Sequence, residues 1–385
     1  MTGLMVVIFL YFALFLGVHF LSKQFLDKPS DRYEHKRSGA AKLFQLIACF
    51  VLIFGFFGFR DITILNDTSH YCSFYNYKAH ISSYKEESIF VFHLTDRFEY
   101  GFQVLVHLLI KYVSIEPFTI IIFSSLVITI GNLWFFSKHT KDIALMCFYM
   151  LIASLFFTQY CIIRQSFAIV LFYMAFHFFE KEKLKKYYLF VGLAFLFHYS
   201  AAFLFLLPTI SKIKPNVRNT LFAIVTALVL AGNIFVLMKV LGLSDHPYYK
   251  TFIQKETLAL VGLADLAQII IVLAVCAISY KISKVSRVDN VYYWMCVLTL
   301  CISIVSTVIY PVARINEFFW PFILLLLIRL LNESRAGLLK AFMVIVFITK
   351  LIGVNTFRPE WLHVEPYQFY DFNKQHHNYN LYPQK

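Results

Sequence analysis

The sequence predicts an all-α fold, a polytopic integral membrane bundle of about 10–12 helices, and three observations carry that expectation. The first is solvent preference. Of 385 residues, 59% are hydrophobic and 15% charged, with a mean hydropathy of +0.67, whereas a soluble domain carries about 45–50% apolar and about 25% charged residues. The second is recurrence of apolar runs near the length of about 20 residues that crosses a bilayer. They stand at 4–21, 42–59, 117–136, 143–160, 162–179, 187–210, 219–241, 261–281, 290–310, 316–331 and 338–353. The third is that no polar stretch between them is long enough to build a separate soluble domain, so 1–385 reads as a single transmembrane domain.

Charge between the runs orients them. The run 4–21 lacks a basic segment before it and is followed by Lys23, Lys28, Arg32, Lys36 and Arg37, the pattern of a retained first helix and not of a cleaved signal peptide. Placing 22–42 in the cytoplasm puts Lys138 and Lys141, then Lys181, Lys183, Lys185 and Lys186, on the same side. A simple crossing by 187–210 would then leave Lys212, Lys214 and Arg218 outside. Reading Tyr187–Phe197 and Ala201–Ile210 as two arms of a re-entrant hairpin, turning at His198-Tyr199-Ser200, restores the alternation. Each arm, at about 1.5 Å per residue, falls short of the roughly 30 Å hydrocarbon core, and such backbone is tolerated at membrane depth only where it lines protein or water. Lys281, Lys284 and Arg287, and later Arg329, Arg335 and Lys340, then fall inside, and both termini outside.

The larger extracytoplasmic loop, 60–116, contains the stretch Glu99–Val113, with Phe102, Leu105, Leu109 and Val113 on one helical face. It reads as an interfacial helix, with a tilted extra span as the alternative. The tail 354–385 is extracytoplasmic as well. Net charge of +13 would point to nucleic acid in a soluble protein, but here Lys and Arg lie between apolar runs, so no nucleic-acid partner is expected. Six of the seven cysteines lie in or beside apolar runs, with no disulfide framework or metal spacing. The chain has no Gly-rich phosphate loop, no HExxH and no paired-Asp motif, so neither nucleotide hydrolysis, nor a cofactor, nor a bound catalytic metal is expected.

Several polar residues need a reason. Arg60 closes the run 42–59, with Asp61, Asp67 and Thr68 just beyond; taken alone it reads equally as a snorkelling anchor. Arg164, in Gln159-Tyr160-Cys161-Ile162-Ile163-Arg164-Gln165, joins two apolar runs with almost no hydrophilic loop. Its guanidinium must sit near membrane depth, where ionisable groups usually face a cavity or a partner. Arg314, before Ile315-Asn316-Glu317, occupies the same kind of outer junction, with a salt bridge to Glu317 as the alternative. His198 lies at the expected hairpin turn, where a satisfied core histidine is the alternative. Glu99 follows Arg97 at the start of the interfacial helix, where a carboxylate also complements the helix dipole. Together these residues form a site fit for an anionic substrate with a group to deprotonate. Guanidinium forks match phosphate oxygens, and a neighbouring carboxylate or imidazole can act as general base.

The ordered set Phe59-Arg60-Asp61, Asp67-Thr68-Ser69-His70-Tyr71, Arg97-Phe98-Glu99-Tyr100-Gly101-Phe102, Ile163-Arg164-Gln165-Ser166-Phe167-Ala168 and Phe197-His198-Tyr199-Ser200-Ala201 resembles the EpsG family, which is similar to Wzy-type O-antigen and exopolysaccharide polymerases. The likeness extends to Arg314 and the late Pro366-Tyr367. The family pattern has Gly-Thr-Asp-Thr after the first arginine, where this chain has Leu65-Asn66-Asp67-Thr68. Asn often precedes the Arg-Gln pair, where Ile162-Ile163 stand here.

The resemblance implies a metal-independent, GT-C-like glycosyltransferase in the bacterial inner (cytoplasmic) membrane, with its active site facing the periplasm or exterior. It would transfer a growing glycan from undecaprenyl diphosphate to a lipid-linked repeat unit, with undecaprenyl-diphosphate-linked oligosaccharide as donor and acceptor and a chain-length regulator protein as partner. On that reading Arg60, Arg164 and Arg314 bind the diphosphates. Glu99 or His198, with Asp67 third, is the base, and Arg97, Gln165 and Tyr367 are supporting residues. The rival readings are a lipid-linked oligosaccharide flippase or exporter, and an O-antigen-type ligase.

Overall fold

The computed structural model describes residues 3–26, 34–81, 84, 98–240, 263–282, 287–308, 310–333, 344–353, 364 and 367–372. The described chain is nearly all helical, and its β pairing is confined to an isolated bridge between Arg60 and Phe369. Two compact units are distinguished, Met1–Tyr199 with Phe347–Lys385, and Ser200–Val346. The first contains α1 (Gly3–Leu26), α2 (Glu34–Gly58), α3 (Thr68–Ala79), α4 (Tyr100–Tyr112), α5 (Phe118–His139), α6 (Ile143–Ile152), α7 (Leu155–Cys161), α8 (Ile163–Glu180) and α9 (Leu184–Phe197). A 3-10 segment, Tyr199–Leu206, leads into the second, which has α10 (Leu207–Ile210), α11 (Val217–Val240), α12 (Leu263–Ile282), α13 (Arg287–Ser306), a second 3-10 segment (Tyr310–Phe318) and α14 (Trp320–Glu333). A last helix, α15 (Val344–Gly353), follows.

Among the described residues, three helical stretches are long and apolar enough to cross a membrane: Gly39–Gly58, Phe118–His139 and Val288–Ser306. Two further spans are broken. The run 143–160, expected as one helix, bends by 75° between α6 and α7. Ser154 there takes the left-handed conformation, φ 65, and its carbonyl restarts the helix by accepting from Thr158 N at 3.0 Å and Thr158 Oγ1 at 3.1 Å. Neither glycine nor proline marks this bend, so its backbone cost is met by the packing around it. The run 316–331 likewise begins in the second 3-10 segment and bends by 47° into α14.

The expected amphipathic helix of the 60–116 loop is present as α4, and α3 is a second helix in that loop. In the run 187–210 helix α9 ends at Phe197. His198 is extended at φ −157, ψ 123, and the 3-10 segment starts at Tyr199.

Within the first unit α2 packs on α1, α5 and α6, while α8 and α9 form the tightest helix pair. They are joined through Lys181-Glu182-Lys183, a connection short enough to make them antiparallel neighbours. A polar seam ties α5, α7 and α8 together. Asn132 Nδ2 donates to Gln159 Oε1 at 2.8 Å, and Tyr173 Oη donates to Asn132 Oδ1 at 2.9 Å. All three side chains are buried, so each bond forms at low dielectric with no competing water and holds the α7–α8 junction in register.

Glycine sets the approach of α4 to α9. A Cβ on Gly101 would stand 2.9 Å from the Leu196 carbonyl oxygen, a backbone atom that cannot swing aside. Gly101→Ala should therefore push apart the two helices that carry Glu99 and His198. We expect it to lower thermal stability by about 1–3 kcal/mol, as overpacking does, and to reduce activity further in the molecules that remain folded. A thermal melt with wild-type midpoint would contradict this.

Candidate active site

The site is built where α8 begins and where the chain enters α4. Ile162, at φ −89, ψ 59, breaks the helix between α7 and α8, and Ser166 Oγ donates back to Gln159 O at 2.5 Å, clamping the first turn of α8 against α7. Gln165 is buried in that turn, which places Arg164 beside it with its side chain 18% exposed. The Arg164 guanidinium donates to the Glu99 carboxylate and lies over the Phe98 ring, 4.8 Å from carbon to centroid. Burial and an ordered ring are the conditions under which such a cation–π contact strengthens.

Glu99 is the residue before α4, with φ −64 and ψ 154, yet its side chain makes no capping bond to the helix. Its carboxylate instead takes Arg164 on one oxygen and stands 3.6 Å from His198 Nδ1 on the other. The helix-dipole role alone therefore does not describe it. The Phe98–Glu99 turn is fixed by Gln103, whose Nε2 donates to Phe98 O at 2.7 Å. Tyr71, on α3, hydrogen-bonds Arg164. Burial pushes its phenol up to about 12, with the Arg164 charge opposing the rise, so it stays protonated at neutral pH. Asp67 begins α3 without a side-chain cap bond and is close enough to raise Tyr71 further.

Arg60 has a different environment. It is fully enclosed, at 0% exposure. One terminal nitrogen donates to Phe57 O and to Ser125 Oγ, the latter at 3.0 Å; the other donates to Tyr160 O at 2.9 Å and Thr68 Oγ1 at 3.5 Å. It thereby ties the end of α2 to α3, α5 and α7. Thr68 and Tyr71, one turn apart on α3, touch Arg60 and Arg164 respectively.

The C-terminal tail completes this wall. Tyr370 N donates to Phe59 O at 2.8 Å and Asp61 N to Gln368 O at 2.9 Å. Tyr367 stacks on Phe56 at 4.4 Å, donates its hydroxyl to Phe56 O and lies near Arg60. Tyr370 stacks on Phe118 at 3.7 Å.

Of the residues singled out in the sequence, Glu99, Arg164 and His198 thus meet directly, with Asp67 close by. Arg60 and Tyr367 meet in the adjoining wall. Arg314 lies half-buried in the second 3-10 segment, in the other unit, and Arg97 lies outside the described residues. The sequence reading missed Tyr71, Phe98, Ser125 and Tyr160 as site neighbours. The one signal for Tyr71 is its spacing after Asp67 and Thr68, which puts the three on one helical face. Among the described residues no group of three or more His, Cys, Asp or Glu side chains is placed to hold a metal ion.

Apolar spans and broken spans, carrying a charged cluster where their connections are shortest, define a multi-pass helical membrane protein. The model of the EpsG family matches residues 42–369, and the chain belongs to the EpsG family, a family of exopolysaccharide/O-antigen polymerase-like membrane proteins. No curated protein matches the chain, and no solved structure matches it.

Proposed function

We propose that this chain is a Wzy-type polysaccharide polymerase with a GT-C-like transmembrane architecture, acting on the outer face of a bacterial cytoplasmic membrane. It transfers a growing glycan from undecaprenyl diphosphate to the non-reducing sugar of a lipid-linked repeat unit. The observation that carries the reading is a single buried carboxylate, Glu99, shared between the Arg164 guanidinium and the His198 imidazole. It supports the reading because a guanidinium, the kind of group that binds phosphate oxygens, and an imidazole, the kind that serves as a base, meet on one carboxylate.

Arg164 sits in the first turn of α8, where the helix dipole adds positive potential. In the proposed reaction it binds the donor diphosphate and stabilises the charge that develops as this group leaves. His198 takes the proton from the acceptor hydroxyl, and Glu99 orients the ring and stabilises the imidazolium. The acceptor oxygen forms the bond to the anomeric carbon as the bond from that carbon to the diphosphate oxygen breaks. Undecaprenyl diphosphate departs with the electron pair, and the centre inverts. Asp67 and Tyr71 border the cluster as positioning groups, and Arg314 is a proposed diphosphate-binding residue of the second unit, taken by itself.

The purified chain in proteoliposomes with lipid-linked repeat units tests the proposal. Ladders of polymer support it. Translocation without bond formation would make the protein a flippase, and transfer of finished chains to another acceptor would make it a ligase. Within a positive assay, His198→Gln is expected to lower polymerisation about 10²–10⁴-fold with donor binding retained. Wild-type turnover in that variant would remove His198 as the base.

A further inference from the structure

At the other end of α2 a charged cavity has no part in the chemistry above. From Lys42 to Gly58 the helix rises about 24 Å, close to the thickness of a hydrocarbon core. The cavity therefore lies at the opposite edge of the spans from Arg60. Its volume is about 300 Å³, and Lys42, Gln45, Ser137, Lys138, Thr140 and Lys141 are among its lining residues. It opens where the spans Gly39–Gly58 and Phe118–His139 reach their ends, the level of lipid headgroups.

The walls are fixed. Gln45, buried on α2, accepts from Ile143 N at 2.7 Å and Ala144 N at 3.1 Å, so it satisfies the first amides of α6 from a neighbouring helix. Lys42 Nζ donates to Ser137 O at 2.5 Å, which anchors one ammonium on the wall and leaves it further protons to donate. His139 has Phe135 O 2.8 Å from Nδ1 and the Glu180 carboxylate 3.2 Å from Nε2. Among the described residues two carboxylates near it are turned to other groups: Glu180 to His139, and Asp142 to Leu145 N at 3.1 Å and to His19 at 2.6 Å. Among the described residues no carboxylate lines the cavity.

We propose that this cavity is a binding site for the phosphodiester head of an anionic membrane phospholipid. Three lysines converge on a polar hollow of the size that holds a small ligand, at headgroup depth beside two spanning helices. Basic pockets of this kind between transmembrane helices recruit anionic headgroups, each lysine adding to the attraction. The bound head would bridge α2 to the turn between α5 and α6, adding to the bonds that Lys42 and Gln45 make there. The inference does not depend on the polymerase reading.

The full chain, reconstituted with phosphatidylcholine alone or with added phosphatidylglycerol, tests it by native mass spectrometry and thermal melting. The wild type is expected to retain phosphatidylglycerol and to melt higher in its presence. Lys138→Gln/Lys141→Gln should weaken that retention about thirtyfold, and Lys138→Arg/Lys141→Arg should restore it. Lys181→Gln/Lys185→Gln, which removes two exposed lysines, one on the α8–α9 connection and one in the first turn of α9, should leave it unchanged. Equal loss in the two Gln variants would reduce the effect to general surface attraction and overturn the site, as would full retention in the first. Equal stabilisation by inorganic phosphate alone would show an ion site and overturn the lipid assignment.

Discussion

Arg164→Ala is expected to abolish polymer synthesis in cells and, in the reconstituted assay, to lower the rate about 10²–10³-fold, the loss typical when one fixed charge-stabilising donor is removed. The complication is stability. Glu99 is only 4% exposed, and removing its guanidinium partner leaves a buried carboxylate beside an imidazole alone. Breaking such a pair costs up to about 3–5 kcal/mol, discounted here because the Arg164 side chain reaches solvent with 18% of its surface. The single variant can therefore lose activity by misfolding. Arg164→Met/Glu99→Gln separates the two effects. It removes both charges and keeps volume, so the melting midpoint should return toward that of the wild type while polymerisation stays lost. Arg164→Lys keeps the charge without the fork and should recover only part of the rate. A double variant that is stable and still makes full-length polymer would sink the diphosphate role of Arg164.

That prediction uses a contact that the linear sequence marks only at its two ends. Arg164 stands out because a guanidinium joins two apolar runs with no loop to carry it into water. Glu99 stands out because it opens an amphipathic stretch that does form α4, at Tyr100–Tyr112. Their pairing is set by the approach of α4 to α9 at Gly101 and by the break at Ile162, both tertiary facts. The bend at Ala153-Ser154 carries no glycine or proline, so hydrophobic length alone reads through it as one span. Asn132, Gln159 and Tyr173 are each isolated polar residues in apolar runs, and only assembly shows that they satisfy one another. Tyr370 is further still from its partners in sequence; its ring meets Phe118 because the tail hydrogen-bonds to Phe59 and Asp61. What periodicity and charge do determine is which residues must be accounted for at membrane depth.

Arg60 shows how far enclosure changes the role that charge alone suggests. The sequence places it at a span end among carboxylates, where it reads equally as a snorkelling anchor, and the family resemblance implies a diphosphate ligand. In the structure its terminal nitrogens are occupied by Phe57 O, Ser125, Thr68 and Tyr160 O, with no exposed surface. Binding a diphosphate would require exchanging these bonds, so we assign it to holding α2, α3, α5 and α7 in register behind the site. Arg60→Met keeps most of the volume and removes every donor. It leaves Tyr160 O and Thr68 without that partner, while Phe57 O keeps the Ser125 hydroxyl at 3.2 Å. With about 1–3 kcal/mol for each buried acceptor left unsatisfied, the variant is expected to lose about 3–5 kcal/mol of stability. Turnover per folded molecule should fall far less than the roughly 10²-fold expected when a transition-state donor is lost. Thermal melting alongside active-fraction-corrected kinetics distinguishes the two roles. A wild-type melting midpoint with turnover lost would return Arg60 to the substrate site.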